Sequence, residues 1–578
     1  MRYTFTVITF FLFVLQSIGQ TNKFTLSGKI TDNSNGEDLI GATVTLADKA
    51  GQGVSSNLYG FYSLTLEAGN YQLVVEYLGY TPQVLEINLT EDQKLDFELE
   101  LSEDNLTEVV VKAQQDDQYV TENQGSVVKI DVKEVETVPV LLGEKDILKI
   151  LQLNPGIKSA GEGGSGFYVR GGGLDQNLIL LDEAPVYNPS HLLGLFSVFN
   201  SDAIKDVSIY KGGMPAEYGG RTSSVMDIRM KEGNKKDFGV SGGIGLISSR
   251  LTVEGPIVKD KGSFMLSGRR TYLDLFLGLS SDESVSNSVL YFYDVNLKAN
   301  YQISEKDRIF VSGYFGRDNF GFGDDFGFDW GNATATVRWN HLFSNNLFSN
   351  TSLIFSDYDY TFSFGTEEDV IGLESVIRDW NLKQDFSFFP NDRNTVEFGA
   401  NAIYRQLQPG NLIAGSNTGF TAEDAEEKFG LEGAVYLQNQ QKVGQKLDLS
   451  YGLRFSFLNQ FGPGTAFELD EEGGIISEAE FNSGESIQFY GGFEPRFSAT
   501  YLLNTTSSLK MGYNRNYQYI HQLSNSTSST PTDLWVMSSN NIKPQIADQL
   551  SLGYFRNFKE NMFEASFEVY YKWMQNVI

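Results

Sequence analysis

From about residue 236 onward the chain is a series of roughly ten-residue runs in which apolar and polar residues alternate. Leu447, Leu449, Tyr451, Leu453 and Phe455 interleave with Asp448, Ser450, Gly452, Arg454 and Ser456. Val396, Phe398, Ala400 and Ala402 do the same with Glu397, Gly399 and Asn401, and Phe563, Ala565, Phe567 and Val569 with Glu564, Ser566 and Glu568. A period of two means strands with unlike faces. A soluble sandwich gives a similar pattern, but it does not put charge on so many strands. A membrane barrel with lipid outside and a polar lumen does. Connection lengths agree. Short turns fall near 255–262, 304–307, 343–347, 390–393, 442–446, 504–507 and 557–561. Long connections rich in Gly, Asp, Glu and Ser fall near 274–288, 315–331, 362–374, 408–427, 459–485 and 522–541. Short inner turns and long outer loops are the outer-membrane pattern.

Composition narrows the classes further. The 578 residues include no cysteine, which excludes disulfide scaffolds, thiolate zinc sites and cysteine nucleophiles. The net charge of −30 repels phosphate and argues against a nucleic-acid partner. The three histidines, His191, His341 and His521, are far apart, and no zinc constellation or other cofactor site is expected. No HExxH or GxSxG motif is present, so a secreted hydrolase is disfavoured and no catalytic residues are assigned. Residues 1–20 carry Arg2, an apolar stretch from Phe5 to Leu15, and Ser17-Ile18-Gly19. This pattern predicts a signal peptide and therefore export.

Two smaller regions precede the barrel. Residues 23–102 hold alternating runs at 24–30, 42–46, 62–66 and 71–75, with turns at Asn35-Gly36, Tyr59-Gly60 and Ala68-Gly69-Asn70. These predict a small β-sandwich acting as a spacer or interaction module. Gly28-Lys29-Ile30-Thr31-Asp32, Leu39-Ile40-Gly41-Ala42-Thr43-Val44 and Tyr77-Leu78-Gly79-Tyr80 resemble the carboxypeptidase-regulatory-like domain. Residues 106–233 are mixed α/β. A short helix is expected in 143–153, stopped by Asn154-Pro155-Gly156, and a buried strand at 178–182. The glycine-rich stretch 161–173 lacks the fingerprint of a nucleotide site.

Several short motifs then occur in order: Leu153-Asn154-Pro155-Gly156-Ile157, Val169-Arg170-Gly171-Gly172, Ile179-Leu180-Leu181-Asp182, Val207-Ser208-Ile209-Tyr210-Lys211-Gly212-Gly213, Pro215-Ala216-Glu217-Tyr218-Gly219-Gly220-Arg221 and Val225-Met226-Asp227-Ile228. The series resembles the plug domain of TonB-dependent outer-membrane receptors, in the Bacteroidetes-type subgroup with an amino-terminal regulatory-like domain. One departure is Asp182-Glu183-Ala184-Pro185, where Asp-Gly-x-Pro is commoner. The expected fold is all-β dominated: a sandwich (23–102), a plug (106–233) and a transmembrane antiparallel barrel (236–578). About fifteen strands are expected here against about twenty-two in the family. Since bacterial barrels close with even numbers, the chain is expected to stop inside the barrel, the alternative being a complete barrel of fourteen or sixteen strands.

The resemblance implies a receptor-transporter in the outer-membrane lipid. It would bind a scarce small-molecule or oligomeric nutrient, such as an iron chelate, and take energy from a TonB-type periplasmic coupling protein. Leu106, Thr107, Glu108, Val109, Val110 and Val111 resemble a TonB box, an extended segment able to pair with a partner strand. Alternatively, they are a strand of the sandwich or plug. Arg170 and Arg221 are expected to anchor the plug, with Glu494 as a barrel partner, unless all three make only local turn contacts. Asp318, Asp324, Asp325, Asp329 and Trp330 are expected at an acidic, aromatic ligand mouth, or else on a hydrated loop face. The competing class is a passive porin or adhesin without energy coupling, which would lack the plug series.

Overall fold

The computed structural model describes residues 23–47, 52–102, 120, 127–131, 144–161, 164–322, 326–365, 367–419, 425–523, 533–559 and 562–578. Residues 1–20, where a signal peptide is expected, and Leu106–Val111 lie outside the described residues.

Residues 239–575 supply one fifteen-stranded antiparallel sheet in sequence order, with Gly239–Ile244 and Phe563–Gln575 as its two edges. The strand number is the one expected from the alternation. Burial along the wall is inverted relative to a soluble protein. On Val289–Gln302, Asp294, Asn296, Lys298 and Asn300 are buried, while Val295 and Leu297 are 39% and 42% exposed. The apolar side chains therefore face outward, where lipid would replace water, and the polar set faces the lumen. No helix among the described residues is long and apolar enough to cross a membrane. Crossing is by strands, whose backbone groups are satisfied by their neighbours.

Short turns lie at one end, for example between Gln302 and Asp307 and between Ser344 and Leu347. The other end departs from expectation. A long connection was expected at 315–331, but strands Asp307–Phe322 and Phe326–Ser344 stay paired up to Phe322↔Phe326. Likewise Ile371–Asn391 and Asn394–Ala414 run for 21 residues each. Glycine and aspartate suggested loop, but cross-strand pairs such as Phe320↔Phe328 hold the ladder together beyond the apolar band.

The plug fills the lumen. Its five-stranded sheet has the order Ala184–Pro185, Asn177–Leu181, Ser224–Met230, Ile204–Tyr210, Val127–Asp131. Ile147, Leu151, Val169, Ile179, Leu181, Val207, Ile209, Met226 and Ile228 form its core. The expected helix is the short turn Ile147–Leu151, capped by the Asp146 carboxylate, which accepts from Leu148 N at 2.9 Å. It ends ahead of Gly156, whose φ is +80°. The amino-terminal region is a sandwich of two four-stranded sheets around Leu26, Ile30, Val44, Leu64, Leu73 and Val75. It packs beneath the barrel at the short-turn end.

Because Leu297 points outward from mid-strand, Leu297→Lys is expected to cost about 2–4 kcal/mol in lipid. Reversible unfolding from liposomes, followed by tryptophan fluorescence, reads this. An effect below about 0.5 kcal/mol would contradict an outward, lipid-facing position.

Candidate functional site

The candidate site is the surface where the plug meets the wall, together with the cavity at the outer end of the plug. Plug loops carry backbone groups with no ladder partner, and the lumen-facing positions of the strands supply them.

The segment 211–217 shows how. Arg496 donates to the carbonyls of Met214 (3.3 Å) and Pro215, and Arg454 donates to those of Ala216 and Glu217, both at 3.2 Å. Gln438 accepts from Ala216 N at 2.6 Å, Asn514 accepts from Gly213 N at 3.2 Å, and Gln549 donates to Lys211 O at 3.0 Å. Glu494 sits behind these arginines, 2.8 Å from Arg496 Nη2 and 3.8 Å from Arg454 Nε. The expected pairing of a plug arginine with Glu494 is therefore not formed. Glu494 orients wall arginines that hold plug carbonyls. The error has a simple source: carbonyl acceptors leave no charged residue in the sequence to pair with.

Arg170 does meet the wall elsewhere. It forms an ion pair with Glu568 and lies 4.9 Å from the Tyr570 ring, both on the strand Phe563–Gln575. Arg221 is buried, donates to Gly220 O at 3.0 Å and stacks 5.5 Å from the Trp535 ring.

The turn at Asp182–Glu183 is a second latch. Both residues have positive φ, +46° and +76°. Glycine adopts this region freely, whereas another residue sacrifices about 1–2 kcal/mol. The departure from Asp-Gly-x-Pro thus places a carboxylate where the backbone resists a side chain. Glu183 accepts from Asn350 Nδ2 at 3.1 Å and lies 3.5 Å from Arg338 Nε. Asp182 lies 3.0 Å from Lys298 Nζ, and its carbonyl accepts from Thr336 at 3.1 Å.

A third latch consumes part of the expected ligand mouth. Asp318 is buried, 2.5 Å from His191 Nδ1, and accepts from Leu192 N at 2.8 Å. His191 Nε2 lies 3.2 Å from Asp294, which Arg269 also binds at 2.8 Å, and its ring stacks 4.0 Å from Phe292. Burial opposes charge on His191, but Asp318 and Asp294 override it and hold the imidazole above its usual range. Trp330 is also turned inward. It is 1% exposed, and its Nε1 approaches Ser190 O at 3.4 Å. Asp329 is paired with Arg317. Asp324 and Asp325 lie outside the described residues.

At the outer end of the plug is a cavity of about 270 Å³, lined in part by Asp175, Asn177, Tyr187, Arg221, Gln522 and Trp535. Tyr187 meets Trp535 edge-on at 5.5 Å, and Tyr187 OH reaches Asp379, which Arg405 also binds. Burial raises the Asp175 carboxyl and Arg221 opposes that rise. The lining thus offers one carboxylate, one guanidinium, amides and aromatic faces, a set suited to a polar solute with flat apolar surface. Among the described residues no group of three or more His, Asp or Glu side chains is placed to hold a metal ion. The sequence signals for the cavity were weak, since Asp175, Gln522 and Trp535 come from segments without a recognisable motif.

Three family models match the chain. The "TonB dependent receptor-like, beta-barrel" model covers residues 265–578, the "TonB-dependent Receptor Plug Domain" 120–225 and the "CarboxypepD_reg-like domain" 26–111. No curated protein matches. Among solved structures, the FrpB iron transporter from Neisseria meningitidis is similar with a TM-score of 0.56 at 13% identity, over 79% of this chain and 74% of that one. A mutant of the ferric enterobactin receptor PfeA from Pseudomonas aeruginosa gives 0.56 at 13% identity, over 81% and 73%. A double mutant of the Serratia marcescens hemophore receptor HasR, in complex with its hemophore HasA and heme, gives 0.56 at 12% identity, over 80% and 74%. At these identities the likeness is one of fold.

Two outcomes follow from the latches. Arg496→Ala leaves Glu494 buried without its closest cation and frees the plug carbonyls, so a loss of about 3–5 kcal/mol in plug retention is expected. Hydrogen exchange of residues 211–217 measures it, and unchanged protection would refute the grip. The His191 latch is complete below about pH 6.5 and is lost as pH rises through the raised folded-state pKa. Plug resistance to urea should therefore fall with rising pH, and His191→Asn should flatten that slope.

Proposed function

Since the chain belongs to the TonB-dependent receptors, a family of the outer membrane, we propose that it captures a scarce extracellular solute and imports it to the periplasm with energy from a TonB-type protein. The observation that carries this reading is a folded plug held in a polar lumen by hydrogen bonds that are numerous but exchangeable with water. A permanent stopper would favour an apolar seam. Wall arginines on plug carbonyls, such as Arg496 on Met214 and Pro215, can be broken and remade without exposing apolar surface. A passive pore has no use for such an interface.

The cavity bounded by Asp175, Tyr187, Arg221 and Trp535 is the inner floor of the capture site. Asp470, Glu471 and Glu472, exposed between the strands Gly464–Leu469 and Ile475–Phe481 of a long outer connection, add negative charge to its approach. Chelated iron and other compact polar nutrients fit this lining. The partner on the other side of the membrane engages Leu106–Val111. Main-chain pairing there transmits force with little dependence on side-chain identity.

The experiment compares binding and accumulation of 55Fe-labelled ferric catecholate, haemin and ferric citrate in cells with and without the gene, and with and without a protonophore. Binding that ignores the protonophore, followed by accumulation that depends on the proton gradient, is expected for one probe class. Val110→Pro removes a ladder donor and should abolish accumulation while leaving binding intact. Trp535→Ala should weaken binding of the same probe about tenfold. Accumulation that persists without the gradient would overturn the energised reading in favour of a porin.

A further inference from the structure

We infer that the amino-terminal sandwich is a second closure of the barrel, seated in its periplasmic mouth and bonded directly to the plug. The observation is an aromatic tip where a spacer domain would present a polar one. Tyr59 and Phe61 flank a turn of the sandwich, yet they are 7% and 2% exposed. They are covered by Phe310, Phe348 and Phe389 of the barrel wall.

Those three phenylalanines lie on the lumen face at the strand ends nearest the short turns, among polar inward neighbours such as Arg308, Ser312, Asn350 and Ser352. Nothing in a water-filled lumen calls for an apolar ring there. Tyr59 stacks on Phe348 at 5.3 Å, and Phe61 lies 5.7 Å from Phe348 and 6.0 Å from Phe389. The Arg338 guanidinium stands 5.5 Å over the Tyr59 ring. Between the two aromatics, Gly60 has φ +67°, and a Cβ there would sit 2.9 Å from Ile30 O, so the tip requires glycine.

The tip also reaches the plug. Tyr59 OH donates to Glu183 Oε1 at 3.2 Å. Glu183 is one of the two residues of the left-handed turn, and Arg338 and Asn350 of the wall hold the same carboxylate. One side chain thus joins sandwich, plug and barrel. Around it, Arg308 bridges Asp38 of the sandwich and Glu232 at the end of the plug, each at 2.6 Å. Lys205 of the plug lies 3.4 Å from Glu37. Farther along the rim, Gln52 donates to Asp392 at 2.8 Å, and Lys442 donates to Gly53 O at 2.9 Å. The contacts span the wall from Asp307 to Val443 and cover the plug turn from below. The sandwich must therefore withdraw before that turn can move toward the periplasm. The inference uses the transport reading only for its purpose, and its geometry and test stand apart from that reading.

The absence of native cysteine makes a clean test possible. Gln52→Cys with Asp392→Cys places two unique thiols at the rim, to be joined by a short bismaleimide in outer-membrane preparations. KCl conductance of the purified protein in planar bilayers is then followed as urea is raised on the periplasmic side. The crosslinked pair should open at a higher urea concentration than the same pair left uncrosslinked, with the parent as reference. Tyr59→Ala with Phe61→Ala should open at a lower one. Failure of the thiols to crosslink would overturn the docking. Equal opening of crosslinked and uncrosslinked protein would overturn the closure. A shifted threshold in a protein that accumulates none of the iron probes would remove the transport reading and leave the closure standing.

Discussion

A lumen lined with charge needs a counter-surface, and most of this structure follows from that requirement. Turning the apolar face of each strand to lipid sends Arg269, Asp294, Arg338, Arg405, Glu494 and Arg496 inward. Side by side in a narrow space these groups would be poorly solvated and mutually strained. The plug answers with backbone as much as with side chains. Carbonyls from Met214 to Glu217 accept from wall arginines, and the wall carboxylates hold those arginines in place. Polar burial that would destabilise an isolated domain becomes the adhesive between two domains of one chain.

The adhesive also limits how tightly the parts are joined. Each contact is individually modest because water competes for both partners once they separate. A seam of such bonds resists thermal release through number, while force applied at one point can open it in sequence. The Asp182–Glu183 turn is where several bonds converge, and its left-handed backbone holds local strain ready for release.

Strand alternation was legible because lipid and lumen impose opposite chemistry on neighbouring residues. Leu449 and Tyr451 against Ser450 and Gly452 already read as a wall. The plug series was legible because turns such as Asn154-Pro155-Gly156 and Gly171-Gly172 restrict residue choice. What escaped was contact without complementary code. The partner of Arg496 is a carbonyl, which every residue possesses. Asp318 looked like ligand chemistry because its partner, His191, is distant in sequence and on another domain. The run around Phe320 and Phe328 looked like loop because glycine and aspartate dominate it, although its aromatic pairs keep it in the ladder. Phe310, Phe348 and Phe389 each read as ordinary strand residues. Only their common inward direction at one rim distinguishes them.

The long hydrogen-bonded strands at the outer end bear on how a solute arrives. Twenty-one residues at about 3.3 Å each make about 70 Å of strand, or about 50 Å of height at a 40° tilt. An apolar band of about 25 Å leaves much of this standing clear of the bilayer. Among the described residues the entrance is thus walled by paired strands that stand as a stiff chimney. A solute reaching it has little chain entropy to quench, so arrival is governed by aperture, diffusion and the field of the acidic rim. Such an entrance sorts solutes by size and charge before any pocket residue is touched.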